Sequence, residues 1–220
     1  TIDITYPADK GAAGMSAAAQ ATRGVEAVEL VVFERGQFTS FAACGLPYFV
    51  GGLVEDADRL VARSPEEHRR RGVDVRTGHE VVAIHPDEQV VEVRVVETGA
   101  VGREPYDHLL IATGASPIRP PFPNIDAKGV RGIHVIPDAV ALDDQIRDRS
   151  PRRAVVVGGG YIGLEMVEAL QLRGLEVTLV EKLDQPMATL DADMGARVAD
   201  GLVAQGVDLR LGTGVQGFET

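Results

Sequence analysis

Between the apolar run 153–157 (RAVVV) and the helix-forming run 164–173 lies Gly158-Gly-Gly160-Tyr-Ile-Gly163. Gly174 and a second apolar run, 176–180 (EVTLV), follow, closed by Glu181. Strand, glycine turn, helix, strand, acid is the order of a βαβ unit that binds a dinucleotide. Glycines there permit a tight first turn, a bare backbone where a pyrophosphate approaches, and close helix–strand contact. The helix N-terminus adds free N–H groups for the anion. Glu181, eighteen positions beyond Gly163, is placed to accept from a ribose 2′-hydroxyl and to repel a 2′-phosphate, which favours NADH. Lys182 beside it keeps NADPH open.

A less regular copy of the pattern precedes it. Ile2, Ile4 and Tyr6 form a short β-like run stopped by Pro7, and Asp9-Lys-Gly11-Ala-Ala-Gly14 takes the place of the turn. Residues 16–22 are an alanine-rich helix former, and 29–33 (ELVVF) suits a buried parallel strand closed by Glu34, twenty positions beyond Gly14. Asp9 stands where the first glycine would be. It tolerates left-handed backbone but brings negative charge towards a pyrophosphate. Four readings stay open: a weak site, a shifted turn, a non-natural first ten residues, or a plain βα turn.

The remaining pattern fills in a fold. Ser64-Pro65-Glu66-Glu67 reads as a helix start with a capping box. Runs 73–76, 80–84, 90–96, 109–111 and 207–211 read as strands, and 137–149 and 191–205 as helices. The segment 116–124 (SPIRPPFPN) carries four prolines and is the best linker candidate. The predicted class is α/β, with two Rossmann-like dinucleotide-binding domains at 1–115 and 116–220.

Bulk composition narrows the partners. The 220 residues carry a net charge of −11, which argues against nucleic acid because phosphate binding needs clustered cations. No apolar run approaches the roughly 20 residues of a membrane span, and no basic-then-apolar leader begins the chain. One cysteine forbids an intrachain disulfide and suits a reducing cytosol. The expectation is a soluble cytoplasmic protein with no metal.

That cysteine, Cys44, lies in SFAACGLPYFVGG among small residues, with Gly45 and Pro47 just after it. It is either a small core residue or a thiol placed for chemistry. The order of glycine turn, SFAACGLPYFVGG, ATGASP (112–117) and GGGYIGLE (158–165) resembles the single-cysteine branch of the FAD-dependent pyridine nucleotide-disulfide oxidoreductases. That branch includes CoA-disulfide reductases, NADH oxidases, NADH peroxidases and persulfide reductases.

The resemblance implies roles residue by residue. Gly11, Gly14 and Glu34 would hold the FAD pyrophosphate and ribose, with Arg35 beside the adenosine. Val81 or Val82 would offer backbone to the adenine, and Thr113 and Gly114 would close over the flavin. Gly158, Gly160, Ile162, Gly163 and Glu181 would hold NADH or NADPH. Tyr161 would gate the nicotinamide with Glu165 near it, or else pack on the sheet as a helix-start aromatic. Cys44 would be the redox thiol, oxidised as a mixed disulfide, persulfide or sulfenic acid. Ala12 occupies the position where peroxidases and many oxidases carry a histidine, which argues against those enzymes. Ser16, Gln20, Arg23, Ser40 and Arg71 align with CoA contacts, although Arg71, in the run 69–71, is also compatible with a solvated face. Ala43 replaces an asparagine common in that group.

The leading expectation is therefore an NAD(P)H-dependent flavoprotein reducing CoA disulfide or a related persulfide. Next comes an NADH oxidase, then an inert nucleotide-binding fragment. Relatives of this branch continue with a return to the FAD domain and a homodimerisation domain, neither of which is expected within 1–220.

Overall fold

The computed structural model describes residues 2–6, 12–24 and 28–219; Asp9 and Gly11 lie outside them. The chain divides into two compact units. One holds the chain to Ala43, Asp58–Pro117 and His134–Ile136, and the other holds Cys44–Ala57, Ile118–Ile133 and the chain from Pro137.

The elements run β1 (Ile2–Tyr6), α1 (Ala12–Gly24), β2 (Leu30–Glu34), β3 (Ser40–Phe41), α2 (Leu46–Val50), β4 (Val61–Arg63) and α3 (Pro65–Arg69). Then come β5 (Asp74–Thr77), β6 (His79–His85), β7 (Val90–Val95), β8 (Val101–Pro105) and β9 (His108–Ile111). The last are α4 (Ile136–Arg149), β10 (Arg153–Val157), α5 (Tyr161–Leu172), β11 (Glu176–Val180), α6 (Ala192–Ala204) and β12 (Asp208–Arg210).

The first unit is built on a parallel sheet of order β5-β2-β1-β9. Strand β2 is buried along its whole length, because alternate side chains meet different partners. Leu30 and Val32 pack with Met15 and Ala18 of α1 and with Val73 and Val75. Val31 and Phe33 pack with Val91 and Val93 of β7. Ala17 and Ala21 complete the α1 contact, their small side chains letting the helix sit close to the sheet. Truncating Phe33, only 1% exposed, to alanine costs about 3–5 kcal/mol on this account.

A three-stranded antiparallel sheet, β6-β7-β8, covers the Phe33 side. Sequence pattern misses β8, since Val101-Gly-Arg-Glu-Pro has little apolar content; its register on β7 (Val93↔Gly102, Val91↔Glu104) defines it instead. The capping box of α3 is present both ways. Ser64 Oγ accepts from the Glu67 N–H at 3.2 Å, and Glu67 Oε2 accepts from the Ser64 N–H at 2.8 Å.

The second unit has a parallel sheet, β10-β11-β12. Met166, Val167, Ala169 and Leu170 of α5 are buried, as are Val177 and Leu179 of β11. Helix α5 begins at Tyr161, three residues earlier than its apolar pattern suggests, because Gly160 as N-cap lets the turn run directly into the helix. Helix α2 packs on α5 in this unit. A Cβ on Gly51 would lie 3.3 Å from the Ala169 Cα, so small residues let the two helices touch. Arg173 fastens the contact, donating to the Val50 carbonyl at 2.8 Å and pairing with the buried Asp143 carboxylate, which also pairs with Arg147. Among the described residues, no helix is long and apolar enough to cross a membrane.

Candidate functional site

All four strands of the first sheet are parallel, so they end at one edge, and the order places β2 and β9 on either side of β1. That is a topological switch point, where ligands bind beyond the carboxyl ends of the strands. Glu34 ends β2 there, while Thr113 and Gly114 follow β9 and are exposed. Gly11, between β1 and α1 in sequence, lies outside the described residues, and Gly14 is buried within α1.

Glu34 has an unusual environment. Its side chain is fully buried, Oε1 accepts from the Gly36 N–H, and Oε2 is buried with no hydrogen-bond partner among the described residues. Burial pushes its pKa up from 4.5 to about 7, against the opposing pull of the Gly36 N–H and the Arg35 charge. An unpartnered buried carboxylate oxygen costs roughly 1–3 kcal/mol. A ribose hydroxyl is the donor that would satisfy it, and in this respect the residues fit an adenosine ribose of FAD.

Arg35 lies beside this acid and ion-pairs with Glu80 of β6 at 3.6 Å, and Arg94 pairs with the same carboxylate. The two guanidiniums hold Glu80 below the usual carboxylate range, Arg94 contributing more. The structure separates the two valine candidates. Val81 pairs with Val93 across the β6–β7 ladder, whereas Val82 is the extra residue of a bulge before Ala83↔Glu92 and is 42% exposed. A bulged residue stands outside the ladder, so Val82, unlike Val81, is left out of the β6–β7 pairing.

The second glycine turn is built as its spacing demands. Gly158 has φ +103°, a conformation that L side chains rarely adopt. A Cβ on Gly163 would lie 1.9 Å from the Gly158 carbonyl oxygen, so only glycine fits. Beside Gly158 and Gly160 there is open space for a ligand. The first helical bond runs from the Leu164 N–H to the Gly160 carbonyl at 3.0 Å, leaving the N–H groups of Tyr161, Ile162 and Gly163 without intrahelical acceptors. An exposed helix start of this kind fits a dinucleotide pyrophosphate. Glu181 Oε2 accepts from the Gly159 N–H at 2.6 Å and Oε1 from the Leu183 N–H at 2.8 Å. Tyr161 is 66% exposed, so it does not pack on the sheet, and Glu165 is exposed one turn further along α5.

Cys44 sits in a short 3-10 turn, Ala43–Gly45, immediately before α2, and its thiol is exposed. It is not a core residue. Of the five aligned CoA contacts, Arg23 and Arg71 line one cavity of about 260 Å³, together with Ala19, Thr22, His68 and Val73. Ser40 joins them through His68, its Oγ lying 3.0 Å from His68 Nε2. Ser16 and Gln20 are exposed on α1 and do not line this cavity. Within the run 69–71, Arg69 is bound to the Val75 carbonyl, at 2.9 Å from Nε and 2.6 Å from Nη2, so Arg71 is the member turned to the cavity. His68 was not legible as a site residue. The only signal was its position one residue past a capping box and next to an arginine run.

The pyridine nucleotide-disulphide oxidoreductase family model matches residues 10–220, and the chain belongs to that family. It is 38% identical over 207 residues to an NADH oxidase of Enterococcus faecalis, covering 94% of this chain and 46% of the relative. It is 35% identical over 201 residues to a coenzyme A disulfide reductase of Staphylococcus aureus, covering 91% and 45%. Among solved structures, reduced Bacillus anthracis CoADR-RHD superposes with a TM-score of 0.94 at 38% identity, over 99% of this chain and 39% of that one. The chain thus spans about half the length of the curated relatives it matches.

Proposed function

We propose that the protein is an FAD-dependent NAD(P)H oxidoreductase that reduces CoA disulfide, or a related persulfide, through Cys44. The observation that carries this reading is the cavity that Arg23 and Arg71 both line, two cationic residues of the kind a phosphate-bearing substrate would require. The similarity to a protein named coenzyme A disulfide reductase supports the same substrate class.

In this reading the first domain, 1–115, holds FAD through Gly11, Gly14, Glu34, Arg35, Val82, Thr113 and Gly114. The second, 116–220, holds NAD(P)H through Gly158, Gly160, Ile162, Gly163 and Glu181, with Tyr161 and Glu165 at the nicotinamide. The bound cofactors supply reducing power, two electrons and a proton originating in NAD(P)H. Cys44, as thiolate, attacks one sulfur of the disulfide, forming a mixed disulfide and expelling one CoA thiolate. Reduction of that mixed disulfide returns the Cys44 thiolate and releases the second CoA thiol. Arg23 and Arg71 bind the phosphates and leave the sulfur end free to reach a thiol. A reducing compartment such as the cytoplasm suits a lone exposed thiol, and a homodimer is the assembly proposed for the whole protein.

The test is NADH oxidation by wild type and Cys44→Ser, with CoA disulfide and then with oxygen alone. CoA-disulfide reduction lost in Cys44→Ser supports the reading; reduction retained in that variant overturns it. The 38% identity to an NADH oxidase favours oxygen as the second candidate acceptor. Rapid oxygen-dependent turnover without any response to CoA disulfide would select it.

A further inference from the structure

The cavity between α1 and α3 contains a titratable group to which the redox chemistry gives no role. His68 is 2% exposed, lines the cavity beside Arg23 and Arg71, and lies 3.0 Å through Nε2 from the Ser40 hydroxyl. Of the groups facing His68, its own segment supplies Glu67 and Arg71, and β4 supplies Arg63. From α1 comes Arg23, from β3 the Ser40 hydroxyl, and next to β5 the apolar Val73.

The hydrogen bond has two directions with different consequences. With a proton on Nδ1 alone, Nε2 accepts and the Ser40 O–H points at the ring. With a proton on Nε2, the ring donates and the Ser40 O–H is released to donate elsewhere. An anion in the cavity selects the second arrangement, and the doubly protonated imidazolium adds an opposing charge to it.

We propose that His68 couples occupancy of this cavity by a phosphate monoester to the uptake of a proton, making it a positioning residue for Ser40 and a pH sensor for substrate binding. This rests on the CoA-type reading above, since the 3′-phosphate of CoA is such a monoester. Before an anion binds, burial, together with the charges of Arg63 and then Arg71, holds the imidazole below its ordinary range, only partly opposed by Glu67. A dianion beside Arg23 and Arg71 offsets those fields and favours the cation. Affinity therefore rises as pH falls through the window between the bound and free pKa values, by about tenfold for each unit that separates them.

The experiment is calorimetry of CoA binding at pH 6 in two buffers of different ionisation enthalpy, on wild type and His68→Gln, with dephospho-CoA as a second probe. More protons taken up with CoA by wild type than by His68→Gln, a difference that vanishes with dephospho-CoA, supports the proposal; the comparison cancels protons released by the phosphate itself, which titrates at about pH 6. Equal proton counts for wild type and His68→Gln, with CoA bound by both, overturn it and leave the CoA reading standing. Absence of CoA binding to wild type overturns the CoA reading and this proposal with it. Should His68→Gln fail to fold, the imidazole NMR titration of His68 in wild type decides: a pKa that rises on adding CoA supports the proposal, and one that stays or falls overturns it.

Discussion

Glu181 Oε2 accepts a hydrogen bond from the Gly159 N–H at 2.6 Å, tying the acid that closes β11 to the glycine turn that follows β10. Its other oxygen is held by the Leu183 N–H at 2.8 Å. The corresponding acid of the first unit, Glu34, has one oxygen bonded and one buried without a partner among the described residues. The two acids share a place in the pattern and differ in what they have left to offer a ligand.

Glu181→Gln replaces two acceptor oxygens with one, so one of the two backbone N–H groups loses its partner. Unfolding stability falls by about 0.5–1.5 kcal/mol, because the Leu183 bond is exposed and water replaces the lost acceptor. Loss of the negative charge also removes repulsion of a 2′-phosphate, and the NADH-to-NADPH ratio of kcat/KM falls by roughly an order of magnitude. An unchanged ratio would place cofactor discrimination elsewhere, with Lys182 next to be varied.

Glu34 predicts a pH dependence of known sign. Between pH 4.5, the unfolded value, and about 7, the folded value, the folded state keeps a proton that the unfolded state has lost. Stability of the FAD-free protein therefore declines as pH rises through that window, by up to about 3 kcal/mol from this group. Glu34→Gln flattens that decline in a series of thermal melts from pH 5 to 8. FAD binding in the same window releases a proton from wild type and none from the variant, because a ribose hydroxyl stabilises the carboxylate.

Gly163→Ala puts a methyl group 1.9 Å from the Gly158 carbonyl oxygen, a backbone atom that cannot swing aside. The turn must open. Destabilisation exceeds about 4 kcal/mol in denaturant titration, and NADH binding is lost. Gly160→Ala meets no atom within 4 Å of its new Cβ, so it keeps stability much better and is the matched control.

Arg173→Ala removes both the cap on the Val50 carbonyl and a partner of Asp143, which is 2% exposed. Breaking a buried pair from one side costs about 3–5 kcal/mol, reduced here because Arg147 still pairs with the same carboxylate. Amide exchange over Leu46–Val50 quickens, and Cys44 just before that helix reacts faster with an alkylating probe. Exchange unchanged in α2 would show that its packing on α5 suffices.

Much of the second unit was legible because periodicity and glycine spacing are local properties. RAVVV and EVTLV are strands with the bounds their apolar runs announce, and Gly158, Gly160 and Gly163 occupy the turn that their spacing requires. The Ser64–Glu67 capping box is likewise a contact between neighbours in sequence. Strand β8 and helix α2 escaped, since one is set by pairing with β7 and the other is a five-residue helix held by α5 and Arg173.

The sequence by itself determined the α/β class, both acids that close the second strands, and the lone cysteine, because each depends on residue type and spacing along the chain. Only the tertiary structure decided that Cys44 is exposed, that Val82 and not Val81 stands outside the ladder, and that one oxygen of Glu34 is buried with no donor among the described residues. It also brought Arg23, His68 and Arg71 to one cavity. Exposure, bulge position and convergence depend on which distant residues pack against a site, and side-chain burial between separate elements leaves no period in the chain.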